Sequence, residues 1–102
     1  MNNRERGKRG EREARDAVNL HLGMASIRSA QAGGKFASDL LHTGNLHVEV
    51  KKRKALAVSA FMEQAIGDCG TRIPVVLMRE DRGGWLVMLR IEDARAFARE
   101  IQ

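Results

Sequence analysis

A chain of 102 residues with 43% apolar and 30% charged side chains has the composition of one globular domain with a modest core rather than that of a disordered protein. Eighteen Lys and Arg against thirteen Asp and Glu give a net charge of +5, which favours an anionic partner such as nucleic acid without specifying a fold. No apolar run approaches the roughly 20 residues of a membrane span, and the single Cys69 excludes an internal disulfide.

The opening "MNNRERGKRG" lacks the apolar stretch of a secretory signal, so a cytoplasmic setting with no membrane partner is expected. Residues 1–8 are expected to form a flexible basic segment of a single domain over 1–102. From about Arg9 to Leu22, the positions Ala14, Ala17, Val18 and Leu22 recur at helical spacing, and Gly23 is placed to stop the helix. "MASIRSA" (24–30) reads as a short strand. "QAGGK" (31–35) reads as a loop whose paired glycines relax backbone restriction. Two more strands, around 36–42 and 46–51, meet at "HTGN", where Gly and Asn tolerate the positive φ of a tight turn.

Ala55 to about Cys69 is a second helix with Leu56, Ala60, Phe61, Met62, Ala65 and Ile66 supplying an apolar face. "IPVVLMRE" (73–80) is nearly continuous in apolar residues, the mark of a strand buried on both faces, with Pro74 at its entrance. "DRGG" turns the chain into a last strand, "WLVMLRI", and "EDARAFAREIQ" closes it as a helix. The order α-β-β-β-α-β-β-α predicts an α/β domain with a mixed five-stranded sheet flanked by helices.

The charges of "SDLLHTGNLHVEVKKRK" (38–54) carry the chemistry. Side chains alternate faces along a strand, so Leu46, Val48 and Val50 share one face while His47, Glu49 and Lys51 share the other. Asp39 stands on the preceding strand, across the turn. Two carboxylates converging from adjacent strands make a hard-oxygen site suited to Mg²⁺. Such an ion lowers the pKa of a bound water and stabilises the leaving oxygen of a phosphate. A neighbouring lysine can orient water and offset the charge that builds on phosphorus. Phosphodiester hydrolysis needs this set. An acid and a lysine alternating on a strand is equally what a solvated face with a weak ion pair looks like, and "EVK" alone does not choose between the two.

Asp39, a turn, then Glu49-Val50-Lys51 resembles the core of the PD-(D/E)XK nuclease superfamily. The rest of the chain follows the order of its archaeal and phage Holliday junction resolvase branch. "GKRGERE" is similar to that branch's opening helix, which bears an acid after a glycine. "IRSAQAGGK" is similar to its "RS" strand and Gly-containing loop, and "GGWLVMLRI" to its Trp-containing final strand. The likeness spans roughly residues 7–97. Ser38 departs from it, standing where a proline usually precedes the aspartate, and the C-terminal extension of some relatives is missing.

The resemblance implies a restriction-endonuclease-like core, Asp39 and Glu49 as metal ligands, and Lys51 as the catalytic lysine. Glu11 corresponds best to the first-helix acid, and it shares a helical face with Ala14 and Val18. Glu13 competes with it, the other reading of Glu13 being a surface charge. Ser29 resembles a serine near the scissile phosphate; a serine at a strand end is otherwise a turn hydrogen bonder. The implied cofactor is Mg²⁺, with Mn²⁺ able to substitute.

Basic clusters flank this region and are expected to hold a DNA backbone through Arg6, Lys8, Arg9, Arg28, Lys35, Lys52, Arg53 and Lys54. With only Phe36, Phe61, Trp85 and Phe97 as aromatics, a base-stacking platform has little support. His47 is expected behind Glu49 or at the surface, and His21 and His42 lack a partner at metal-binding spacing. Gln64 is expected to be plainly exposed, the other reading being a supporting hydrogen bond to a metal-bound water. Cys69 reads as a packed helix residue.

The function implied is a Mg²⁺-dependent endonuclease resolving four-way junctions in branched DNA. Symmetrical cleavage needs two sites, so a homodimer is expected, presenting an apolar patch on the second helix or later strands. The enzymatic alternative is a phage nickase or another nuclease of the superfamily acting on duplex or flap DNA. The alternative of another class is a non-catalytic basic DNA-binding module.

Overall fold

The structure is a computed structural model that describes residues 3–29 and 37–101. They run as α1 (Asn3–Leu22), β1 (Ile27–Arg28), β2 (Leu40–Leu41), β3 (Leu46–Arg53), α2 (Val58–Asp68), β4 (Ile73–Glu80), β5 (Leu86–Met88), a 3₁₀ turn (Ile91–Asp93) and α3 (Ala94–Glu100). The expected order of elements is present. The "QAGGK" loop, including Lys35, lies outside the described residues.

Strand β4 is central, pairing in parallel with β3 and antiparallel with β5. Its residues Ile73 to Met78 are all buried, as its unbroken apolar run requires. Helices cover the two faces. On one, Ala14 and Val18 of α1 pack with Leu46, Val48 and Val50 of β3 and with Ile73, Val75 and Leu77 of β4, joined by Phe97 of α3. On the other, Phe61 and Ala65 of α2 pack against Val76 and Met78. The alternation of β3 therefore sends its valines into the α1 side and His47, Glu49 and Lys51 to the α2 side. Edge strand β5 leaves Leu86 and Val87 exposed, and Ile91 just beyond it is 90% exposed.

The single five-stranded sheet expected from the order of elements is instead two sheets. β1 and β2 form an antiparallel pair, and β3, β4 and β5 form the mixed one. The seam between them is made by a side chain. Val48 donates its N–H to Ser38 Oγ at 2.9 Å, where a strand partner would offer a carbonyl, and Ser38 Oγ donates onward to the Leu40 carbonyl at 2.6 Å. Only one main-chain bond, Asp39 N–H to the Val48 carbonyl at 2.7 Å, crosses at this point. The ladder is interrupted by a hydroxyl, and β2 is too short to restore it.

Other boundaries shift for local reasons. The first helix begins at Asn3 rather than near Arg9, because the Arg, Lys and Glu residues of its opening turns favour helix without showing any apolar period. An i,i+3 contact between Glu5 and Lys8, 3.7 Å apart, supports that stretch. It ends as expected, with Gly23 at a φ of +67°. At "HTGN" the positive φ values fall on His42 and Gly44, not on Asn45. No described helix is long and apolar enough to cross a membrane.

Candidate active site

A cleft of about 780 Å³ opens between the first turns of α1 and the second half of β3. Asp39, Glu49, Lys51 and Glu11 all line it. Glu11 reaches it because it falls on the same face of α1 as buried Ala14 and Val18, one turn closer to the N-terminus.

Asp39 sits where the chain enters β2, largely buried. Its Oδ2 accepts the N–H of Val50 at 2.7 Å, which locks the carboxylate against β3. Burial pushes the Asp39 carboxyl up to about 7, and the charges of Glu49 and Glu11 add to the rise. The Val50 hydrogen bond and the Lys51 ammonium pull the other way without cancelling it. Glu49 is 4% exposed, and its Oε1 lies 2.8 Å from Nε2 of His47, itself 1% exposed. Lys51 Nζ donates to Gln64 Oε1 of α2 at 2.7 Å and lies 5.7 Å from the centre of the Phe61 ring.

Glu11 is met from β1 by Arg28, whose Nη1 lies 3.4 Å from Glu11 Oε1 and also donates to the Ser29 carbonyl. Ser29 gives its N–H to the Asp39 carbonyl at 3.0 Å, which ties it to the segment that carries Asp39. Ser29 does not line the cleft. Glu13 faces elsewhere. It pairs with Lys52 at 2.9 Å and Arg79 at 3.1 Å, joining α1 to β3 and β4. Weighed as the competing site acid and otherwise as a surface charge, it is a partly exposed acid held in ion pairs and does not line the cleft.

The cations divide. Arg6, Arg9, Lys52, Arg53 and Lys54 line the cleft. Lys8 does not and pairs with Glu5, Arg28 pairs with Glu11, and Lys52 is shared with Glu13. Gln64 is exposed, as expected, and its Oε1 also accepts from Lys51. Its place on α2 could have been found from phase, since it lies one turn from Phe61, which points at the sheet. His47 is not at the surface, and Cys69 is a packed residue whose thiol donates to the Ile66 carbonyl.

Among the described residues, no three or more His, Cys, Asp or Glu side chains are gathered tightly enough to hold a metal ion by themselves. The donor set still has Mg²⁺ chemistry, because that ion takes one or two carboxylates and completes its octahedron with water and phosphate oxygens. The Asp39 carboxyl is raised first by burial and then by the charges of Glu49 and Glu11, and a bound cation would offset both. Asp39 and Glu49 fit.

A family model described as "Phage putative PDDEXK endonuclease" matches residues 2–101. No curated protein and no solved structure matches the chain.

Proposed function

The chain belongs to this phage PD-(D/E)XK endonuclease family, and from that premise we propose that it is a Mg²⁺-dependent endonuclease that resolves four-way DNA junctions as a homodimer. The observation that carries the catalytic part is the meeting of Asp39, Glu49, Glu11 and Lys51 in one cation-rimmed cleft, with the Asp39 carboxyl at about 7.

In this reading Asp39 and Glu49 hold the ion, and Mn²⁺ can take its place. Bound there, Mg²⁺ supplies a Lewis acid for the scissile phosphate and a lowered pKa for the attacking water. Lys51, steadied by Gln64, directs its ammonium toward water and the charge that develops on phosphorus. Glu11 closes the site from α1, held in place by Arg28. Ser29, outside the cleft lining, supports the site by donating its N–H to the Asp39 carbonyl. Arg6, Lys8, Arg9, Arg28, Lys35, Lys52, Arg53 and Lys54 engage the backbone, which reads charge and shape rather than base sequence.

The junction and the dimer rest on the resemblance to the resolvase branch and on one feature of the surface. Leu86 and Val87 on edge strand β5 and Ile91 beyond it in the chain are exposed apolar residues that a second copy would cover. The site of action is then the cytoplasm of a phage host. Incubating the protein and Mg²⁺ with a labelled four-way junction and with a matched linear duplex tests this reading. Paired, symmetrical cuts in the junction alone are expected. Equal cutting of both substrates would replace it with the nickase or general nuclease reading.

A further inference from the structure

We infer that His47 is a positioning residue that makes Glu49 a one-oxygen ligand and so selects a small octahedral cation over a larger one. The inference rests on the reading of Asp39 and Glu49 as metal ligands. His47 and Glu49 stand two residues apart on the same face of β3, and both are almost sealed from solvent. An imidazole at that depth needs a polar partner, and its Nε2 finds one in Glu49 Oε1 at 2.8 Å. The contact stops the carboxyl from turning about its last bond. With Oε1 committed to the ring, Oε2 is the oxygen left for the cleft.

Asp39 is restrained in the same sense by a different group. The Val50 N–H occupies its Oδ2 at 2.7 Å, so Oδ1 is the oxygen with freedom to ligate. Two acids, each with one oxygen engaged by the protein, offer two single donors instead of two chelating pairs. Mg²⁺ demands near-ideal octahedral geometry and keeps several waters, which suits single donors. Ca²⁺ takes six to eight oxygens and readily uses carboxylates through both. The hydrogen bonds behind the acids, rather than the acids themselves, therefore set the preference.

Competition of Mg²⁺ and of Ca²⁺ against bound Mn²⁺, followed by electron paramagnetic resonance on the DNA-free protein, tests this without reference to cleavage. Wild type is expected to bind Mn²⁺ and to prefer Mg²⁺ over Ca²⁺ as competitor, and Asp39→Asn to remove the binding. His47→Met, close in volume but without a donor, is expected to weaken Mg²⁺ by about tenfold to a hundredfold and Ca²⁺ by less. His47→Gln, whose amide N–H can reach the same oxygen, is expected to restore the preference. If wild type binds no divalent ion, the ligand reading fails and this inference falls with it. If wild type binds and Asp39→Asn does not, but His47→Met keeps the wild-type preference, the inference alone is overturned. Should His47→Met not fold, infrared difference spectra of wild type, with Glu49→Gln subtracted, replace it. A single-oxygen carboxylate signature with Mg²⁺ supports the inference, and a two-oxygen signature overturns it.

Discussion

Two carboxylates that meet β3 are built on opposite charge ratios. Glu13 is one acid between two cations, Lys52 and Arg79, at 2.9 and 3.1 Å. Asp39 is one acid among three, its pKa raised first by burial and then by Glu49 and Glu11, with Lys51 the weakest influence upon it. The first arrangement closes on itself and fastens α1 to the sheet. The second leaves negative charge in surplus inside a cleft whose rim is basic. Folding alone favours the first kind of cluster; the second makes sense where a cation and a phosphate are to be bound.

The largest effect that would sharpen this contrast is on cleavage. Asp39→Asn and Glu49→Gln are expected to reduce Mg²⁺-dependent cutting by roughly a hundredfold to a thousandfold or more, the scale for an electrostatic group in a preorganised site. DNA binding, read by gel shift without divalent metal, should be unchanged or tighter, because negative charge near phosphate is removed. Glu13→Gln should leave the metal requirement as it was.

Stability should move in opposite directions at the two sites. The folded pKa of Asp39, about 7, lies above its ordinary value of 3.8. The folded state thus binds the proton more tightly, a contribution fully present below about pH 4 and lost as pH rises through about 7. Asp39→Asn keeps an acceptor for the Val50 N–H and removes the buried charge. Its Tm should exceed that of wild type above pH 7 and converge with it in acid. Glu13→Gln should lower stability by about 1–2 kcal/mol, since it takes charge-assisted hydrogen bonds from two half-buried cations. Equal Tm changes of the same sign would break the comparison.

Adding Mg²⁺ sharpens it further. An ion at Asp39 favours the carboxylate, so the rise in Tm with Mg²⁺ should be small below about pH 7 and grow as pH passes through it. Thermal unfolding with and without the ion, below and above that pH, measures this. A gain independent of pH would place the ion elsewhere.

The smallest effects belong to the supporting residues and the rim. Gln64→Ala should slow cutting by about tenfold or less, by freeing the Lys51 ammonium. Arg6→Ala or Arg9→Ala should weaken DNA binding evenly across sequences and reduce the salt slope by about 1.

Much of the Asp39 region was legible in the chain, and little of the Glu13 region was. The alternation of "LHVEVK" sorted the core face from the opposite face because a strand has period two, and the unbroken "IPVVLM" marked the central strand because it is covered on both sides. Glu11 came from the resemblance, and its helical phase agreed with it. Glu13, Lys52 and Arg79 are far apart in sequence and meet only because of how α1 lies across the sheet, which no local pattern encodes. The split of the sheet turns on one hydroxyl, Ser38, accepting the Val48 N–H, a contact that composition cannot announce. Helical phase could have placed Gln64 toward the sheet, but its bond to Lys51 and the burial of His47 depend on how the elements pack.

The central claim is that Asp39 belongs to a metal-dependent phosphodiester cleavage site and not to a binding surface. Cleavage of a labelled four-way junction by wild type and by Asp39→Asn, each with Mg²⁺ and with chelator, tests it most directly. Cutting is expected only from wild type with Mg²⁺, while the variant binds the same DNA at least as tightly. Cutting by Asp39→Asn at the wild-type rate, or by wild type in chelator, would contradict it.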